Sequence, residues 1–294
     1  EIAGLAPAGL LLREGDLEVY VVEGRQIPEL LTEIGRLREI SFREVGEGTG
    51  RAIDLDEFDA SYLQLFVWSP ADREVVGAYR IGRADRLVAE RGPTALYTST
   101  LFDFAPELLP TMGPALELGR SFVRPERQRS YAPLLLLWRG IAEQVLREPR
   151  YATLFGPVSI SADYSAASQR VILDFLRENR LVHDWSRWVR ARNPLVPSST
   201  RTATPRLADL RAVSHLVAQS EADRKGVPVL LRHYLQLGGS LLGCNVDPAF
   251  SNVLDLLVVV DLRRTPLRTL ARYMGRERGA RFLEEHAVRS AHAG

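Results

Sequence analysis

The residues with the types and spacing to do chemistry are gathered in Glu117–Arg147, ELGRSFVRPERQRSYAPLLLLWRGIAEQVLR. A carboxylate and an arginine, Glu117 and Arg120, stand in a mixed apolar and polar stretch that predicts a strand, with Gly119 marking a bulge. A charged turn over Arg124–Ser130 follows and carries Arg124, Arg127 and Arg129. A helix then opens at Pro133, where a missing N–H costs nothing, and sets Leu134, Leu137, Trp138, Ile141 and Val145 at helical spacing. Strand, basic turn and helix N-terminus form a phosphate cradle: free backbone N–H groups and the helix dipole face the anion, and arginines add charge. Other chemistries find no constellation. None of the five histidines has the His-Glu-x-x-His zinc spacing or an Asp five residues on, and no Gly-x-Ser-x-Gly elbow is present. Cys244, within a predicted strand, reads as a small buried hydrophobe.

The elements around that stretch alternate. Arg25–Val45 is apolar at helical spacing, Tyr62–Trp68 and Glu74–Ile81 read as hairpin strands, and Tyr151–Ile160 is a strand after the breaker Pro149. Ser168–Glu178 is helical, Leu181–Leu207 irregular, and Val227–Leu237 a helix closed by Gly238-Gly239. Two strands, Ser240–Val246 and Val253–Asp261, and two helices, Leu267–Met274 and Ala280–Ala287, complete the chain. Gly46–Gly50 is a loop, and Asp54–Asp59 an acidic cluster without the EF-hand pattern. The class is therefore α/β or α+β with a mixed central sheet. At 294 residues the chain can bury a full core; its net charge of +1 gives no argument for a nucleic-acid partner, and its single cysteine points to a reducing compartment. Apolar runs fall short of the roughly 20 residues of a membrane span. The start at Glu1 rather than Met suggests a fragment of something longer.

Arg127-x-x-Ser130-x-Ala132 resembles the pyrophosphate loop of the GNAT acyltransferase superfamily, with Ser130 in place of the usual first glycine. The blocks ELGRSFVRPE, LLLLWRGI and LFGPVSIS resemble the bacterial ornithine N-acyltransferase (hemolysin-like) family, which moves a fatty acyl chain from acyl carrier protein to an amino acid. A finer likeness is to acyl-homoserine-lactone synthases: Arg38 and Phe42, Asp56 and Asp59, Arg80, then Glu117 and Arg120 follow their order, although the tryptophan expected after Phe42 is missing. The resemblance implies a GNAT-like mixed sheet flanked by helices. Residues 1–167 would hold its N-terminal and central part, 168–226 an insertion or helical subdomain, and 227–294 the closing helix-strand-strand unit with terminal helices.

The resemblance also implies roles. Glu117 would take the proton of the attacking amine and Tyr234 would protonate the leaving thiolate, with Arg120 beside them. Arg124, Arg127, Arg129, Ser130 and Ala132 would hold the donor's phosphate. Arg38, Phe42, Asp56, Asp59 and Arg80 would form the acceptor side, Arg80 or Arg120 gripping a carboxylate as a fork. No tightly bound cofactor is expected, only an acyl-phosphopantetheine donor on acyl carrier protein or coenzyme A. Expected partners are acyl carrier protein, an amino acid such as ornithine, and a fused or separate O-acyltransferase. The location implied is cytoplasmic, with peripheral contact to the inner face of the membrane through Trp185, Arg187, Trp188, Arg190 and Arg192. The alternatives are a synthase of N-acyl amino acid or lactone signals, and a non-catalytic docking domain of a larger acyltransferase.

Overall fold

The computed structural model describes residues 1–5, 7–179, 182–195 and 209–292, with side chains through 288. Its elements in order are β1 (Leu10–Glu14), β2 (Leu17–Glu23), α1 (Pro28–Glu44), β3 (Leu63–Ser69), β4 (Glu74–Arg83), α2 (Ala84–Arg91), β5 (Phe102–Phe104), α3 (Leu108–Met112), β6 (Ala115–Val123) and α4 (Ala132–Arg147). Then come β7 (Thr153–Ile160), α5 (Ala166–Glu178), β8 (Val189–Ala191), α6 (Leu210–Ser220), α7 (Val229–Gln236), β9 (Ser240–Asp247), β10 (Val253–Asp261), α8 (Leu267–Met274) and α9 (Arg276–His292). The main sheet has eight strands in the order β1-β2-β3-β4-β6-β7-β10-β9. Only the β6–β7 neighbours run parallel, so the sheet is mixed, as the alternation of elements predicts.

Period-two alternation loads the two faces of the sheet with different helices. Tyr20, Phe66, Ala78 and Phe122 meet Leu30, Ile34 and Leu37 of α1 on one face. Val19, Leu65, Tyr79 and Leu118 meet Leu137, Trp138 and Ile141 of α4 on the other, in a core that also takes in α5, α6, α7 and α8. Helix α1 has Pro28 at its start, and the Glu1 carboxylate accepts from the N–H groups of Glu29 (3.1 Å) and Leu30 (2.6 Å), satisfying two of its orphan donors. β1 carries no clear alternation in the sequence; it pairs with β2 across the Gly15 turn. Within the segment expected to be irregular, β8 pairs with β5 to form a two-stranded ribbon; of that segment, 181 and 196–207 lie outside the described residues.

Two features of β6 and β7 shape the centre of the molecule. β6 is bulged as Gly119 predicts: Ala78 pairs with Phe122 and Arg80 with Gly119, leaving Arg120 and Ser121 without ladder partners on β4. Arg120 takes the left-handed φ of 51°, a strained value for a residue with a Cβ. The parallel β6–β7 pairing covers only Ala115–Glu117 against Thr153–Phe155, after which the strands part. Gly156 sits at the fork, where any Cβ would collide with the Leu118 carbonyl oxygen. The resulting V opens through the sheet between its two faces.

Candidate active site

The loop between α1 and β3 lays three aspartates against three arginines from different elements. Arg38 of α1 bonds Asp54 through Nε at 2.8 Å and forks onto both oxygens of Asp59 at 3.0 and 2.9 Å. Arg80 of β4 reaches Asp56 at 2.5 Å and Asp59 at 3.2 Å. Arg120 of β6 lies 3.3 Å from Asp54 and 3.6 Å from Asp56. Burial works against ionising Asp59, but Arg80 and Arg38 outweigh it and hold its carboxyl below the usual range. Arg38, Asp59 and Arg80 are each buried, and Phe58, Tyr62 and Tyr97 close over the Arg80 guanidinium. The structure therefore brings Arg38, Asp56, Asp59, Arg80 and Arg120 together as one charge cluster. Removing one member would strand its partners' charges in the interior.

Glu117 is buried next to this cluster. Its Oε1 accepts from the Thr98 N–H at 2.7 Å; its Oε2 accepts from the Tyr97 N–H at 3.2 Å and from the Tyr62 hydroxyl. Burial raises its pKa, and the Thr98 and Tyr62 bonds pull the other way. Glu117 thus fixes the turn that presents Tyr97, whose hydroxyl accepts from Arg120 Nη1 at 3.1 Å. It stands behind Tyr97 and Arg120, outside the cavity they line.

That cavity, about 210 Å³, fills the V. Gly119, Arg120 and Ser121 form one wall and Pro157, Val158 and Ser159 the other; Tyr79, Tyr97, Phe42, Glu47, Phe250, Asp255 and the start of α7 complete it. Two carboxylates, Glu47 and Asp255, face inward. Burial, then the charges of Asp255 and Asp163, push Glu47 up to about 7 against the pull of Arg120. Burial also pushes Asp255 up to about 7, although the Ser159 hydroxyl donates to it at 2.9 Å and Arg120 opposes the rise. Both groups therefore exchange protons near neutrality, the range a general base needs. Arg120 spends Nη1 on Tyr97, while Nη2 is beyond hydrogen-bond length from Asp56 and remains available.

A second cavity of about 510 Å³ shares Phe42, Glu47, Ser121, Val229 and Leu230 with the first and runs to the N-terminal end of α4. Its far end is Gln128, Arg129, Ser130 and Tyr131, and its flanks are largely apolar. The sequence-predicted phosphate residues divide here. Arg124 and Arg127 are held by Glu74 at 2.6 and 2.7 Å, and Arg127 also by Asp72 at 2.5 Å. Arg129 lines the channel and has no carboxylate partner among the described residues. Ser130 Oγ accepts from the Ala132 N–H at 3.2 Å at the helix entry.

Tyr234 is buried and edge-on to Trp138 (5.1 Å between centroids), outside both cavities. Its hydroxyl faces that of Tyr79, and burial holds the Tyr234 pKa well up. Tyr79 is the one that lines the V; burial raises it to about 12, and its hydroxyl forms no well-aligned hydrogen bond. The tryptophan and arginine patch is largely spent within the fold. Trp185 and Trp188 pack on the apolar cluster under α2 and α3, Arg187 covers Trp188 at 4.6 Å, and Arg190 and Arg192 pair with Asp103.

Sequence reasoning missed Glu47, Asp255, Tyr79 and Tyr97. Asp255 left a signal, a lone carboxylate in the apolar run Val253–Val260, where an unpaired charge is costly. Glu47 sits in the loop Gly46–Gly50, and only the fold brings it to the V. No group of three or more His, Cys, Asp or Glu among the described residues is placed to hold a metal ion, and no described helix is long and apolar enough to cross a membrane.

A family model described as an acetyltransferase (GNAT) domain matches residues 37–138, which run from the α1 arginine through the bulged strand into α4. The chain is 30% identical over 260 residues to a glycine N(alpha)-acyltransferase of Phocaeicola vulgatus, covering 83% of this chain and 79% of that protein. It is 31% identical over 263 residues to a glycine N(alpha)-acyltransferase of Bacteroides thetaiotaomicron, covering 83% and 77%. Bulged strand, parted parallel pair and helix-capped channel thus accompany an identity that runs through most of both chains: this protein belongs to the GNAT acyltransferase family and is an N-acyltransferase.

Proposed function

We propose that the enzyme transfers a fatty acyl group from the phosphopantetheine thioester of acyl carrier protein to the α-amine of an amino acid, giving a lyso-aminolipid. The observation that carries this reading is the joining of two unlike cavities at Glu47, a long, largely apolar channel that starts at a helix N-terminus and a small polar chamber with two near-neutral carboxylates and an arginine. The channel suits a pantetheine arm with an acyl chain, its phosphate meeting Arg129 and the N–H groups at the start of α4. The chamber suits a small amino acid, and the relatives' names favour glycine while the ELGRSFVRPE resemblance favours ornithine.

Glu47 lines both cavities, so it stands where amine and thioester must meet, and it serves as the base. The acceptor's carboxylate takes Arg120 Nη2, its ammonium yields a proton to Glu47, and the neutral amine attacks the thioester carbon. The oxyanion accepts from the unpaired backbone of the bulge at Arg120 and Ser121. As the C–S bond breaks, the second proton of the attacking nitrogen passes through the Tyr79 hydroxyl to the departing thiolate, leaving a neutral amide and a free thiol, with Tyr234 behind Tyr79. In ornithine the side-chain ammonium pairs with Asp255. The test is competition among glycine, ornithine and putrescine with palmitoyl-loaded acyl carrier protein and with palmitoyl-coenzyme A, followed by mass spectrometry. Preference for the amino acids and for the carrier-protein donor is expected. Equal use of putrescine would show that the carboxylate is not read, and equal use of coenzyme A would remove the donor assignment.

A further inference from the structure

Two of the three arginines expected to receive the donor are neutralised: Asp72 and Glu74 pair with Arg124 and Arg127, which leaves Arg129 alone on that side. On the other flank of the channel mouth the balance is reversed. Arg272 of α8 lies over the Tyr131 ring, 5.2 Å from its centroid, and Tyr131 lines the channel. Arg232 of α7 acts on the same tyrosine electrostatically. It also lines an open groove of about 770 Å³ with Arg211 and Arg224. None of these four arginines has a carboxylate partner among the described residues, and the buried Nε of Arg232 has no hydrogen-bond acceptor. The one acidic residue of the groove, Asp209, is occupied at the N-terminus of α6, accepting from the Arg211 and Ala212 N–H groups. The chain as a whole has a net charge of only +1, so this local excess is not a reflection of overall composition.

We propose that the face formed by Arg211, Arg224, Arg232 and Arg272 is the docking surface for the acidic acyl carrier protein, which feeds its arm past Tyr131 into the channel. The proposal rests on the carrier-protein donor proposed above and locates the partner on α6, the loop that follows it, α7 and α8 rather than on the Arg124–Ser130 turn. Unpaired, mostly exposed cations steer an acidic partner and set its orientation, and their effect is screened by salt. The face is continuous with the donor channel through Tyr131, so a protein seated there has its prosthetic arm at the entrance.

The experiment uses the full chain with Arg211 and Arg224, which touch neither cavity, both replaced by Glu. Expected is a rise of roughly ten-fold or more in KM for palmitoyl-loaded acyl carrier protein at low salt, with kcat and the KM for palmitoyl-coenzyme A within about two-fold of wild type. The Arg211→Gln, Arg224→Gln pair should fall between, and the salt dependence of the wild-type KM should be largely lost in the Glu pair. An unchanged carrier-protein KM in a folded variant overturns the proposal. So does loss of binding to anionic phosphatidylglycerol vesicles with that KM unchanged, since the face would then serve a membrane. A wild type that cannot use acyl carrier protein at all refutes the donor reading, and is told apart by the unsubstituted enzyme.

Discussion

Replacing Asp255 by Asn separates a chemical role for the two cavity carboxylates from a structural one, because the two roles predict opposite signs. Asp255 rises from its ordinary 3.8 to about 7 in the folded protein, chiefly through burial. Below pH 4 it is protonated folded and unfolded alike and contributes nothing. Between pH 4 and 7 the unfolded chain releases the proton while the folded chain keeps it, so stability falls as pH rises, by about 4 kcal/mol at the upper limit. Asn removes that cost and can still accept the Ser159 hydroxyl through its amide oxygen. Thermal melts should therefore agree near pH 4 and diverge by pH 8 in favour of the variant, by roughly 2–4 °C for each kcal/mol recovered. Activity should move differently. Asp255 is one of the charges that raise Glu47, so its loss lets Glu47 ionise at lower pH. The acidic limb of the kcat/KM profile, near 7 in the wild type, should shift downward in Asp255→Asn and vanish in Glu47→Gln, which should also lose about 10²–10⁴-fold in rate. An Asp255→Asn variant less stable than wild type at pH 8, or a Glu47→Gln variant with wild-type turnover and limb, would refute the reasoning.

The other residues give sharper contrasts. Arg120→Lys keeps the charge but loses the fork, so the KM for the amino acid should rise several-fold while the donor KM holds; parallel changes in both would remove Arg120 from the acceptor side. Arg129→Glu should raise KM for coenzyme A and carrier-protein donors alike, whereas Arg127→Glu should change either little once its clash with Asp72 and Glu74 is relieved by neutralising those two. Glu117→Gln turns an amide N–H₂ toward the Tyr97 or Thr98 N–H, leaving buried donors unpaired; a loss of about 1–3 kcal/mol in urea melts is expected. A loss of activity with unchanged stability would instead make Glu117 the base.

The fold was largely legible because its elements follow local rules. α1 and α4 are long enough for helical spacing to declare itself, and the β6 bulge is announced by Gly119 in a strand pattern. The V was not legible, since it depends on where β6 and β7 stop pairing, a contact between residues about forty apart in sequence. The same limit governs the site. Arg38, Asp59 and Arg80 could be grouped from their order and types, yet whether they face a substrate or one another depends on burial, and they face one another. Arg127 looked like a phosphate ligand because its turn is basic, while the acids that neutralise it come from the β3–β4 hairpin. Tyr234 stands out in the sequence by its place in a helix yet lies outside both cavities, whereas Tyr79, which lines the V, carries no pattern of its own.

The buried charge cluster gains its meaning from the strain at Arg120. A non-glycine residue at φ 51° costs of order 1–3 kcal/mol and persists only where its surroundings fix it. Glycine would adopt that backbone freely, yet the chain has arginine there, with glycine one residue earlier. The side chain supplies the fixing: Asp54 and Asp56 hold the guanidinium from one side and Tyr97 from another, and Tyr97 is set in turn by Glu117. In the mechanism proposed above, one residue would thereby do two things at the same spot. Its backbone leaves the β4 ladder where, in the proposed mechanism, the oxyanion would form, and its Nη2, beyond hydrogen-bond length from Asp56, would meet the acceptor. Arg38, Asp54, Asp56, Asp59 and Arg80 then act at a distance, by keeping a strained strand and a desolvated cation in register. Three arginines against three aspartates leave the cluster close to neutral, so Arg120 would offer an acceptor carboxylate a directed hydrogen bond more than a net charge. Such a contact would select by geometry and would release the acylated product without having to separate a strong ion pair.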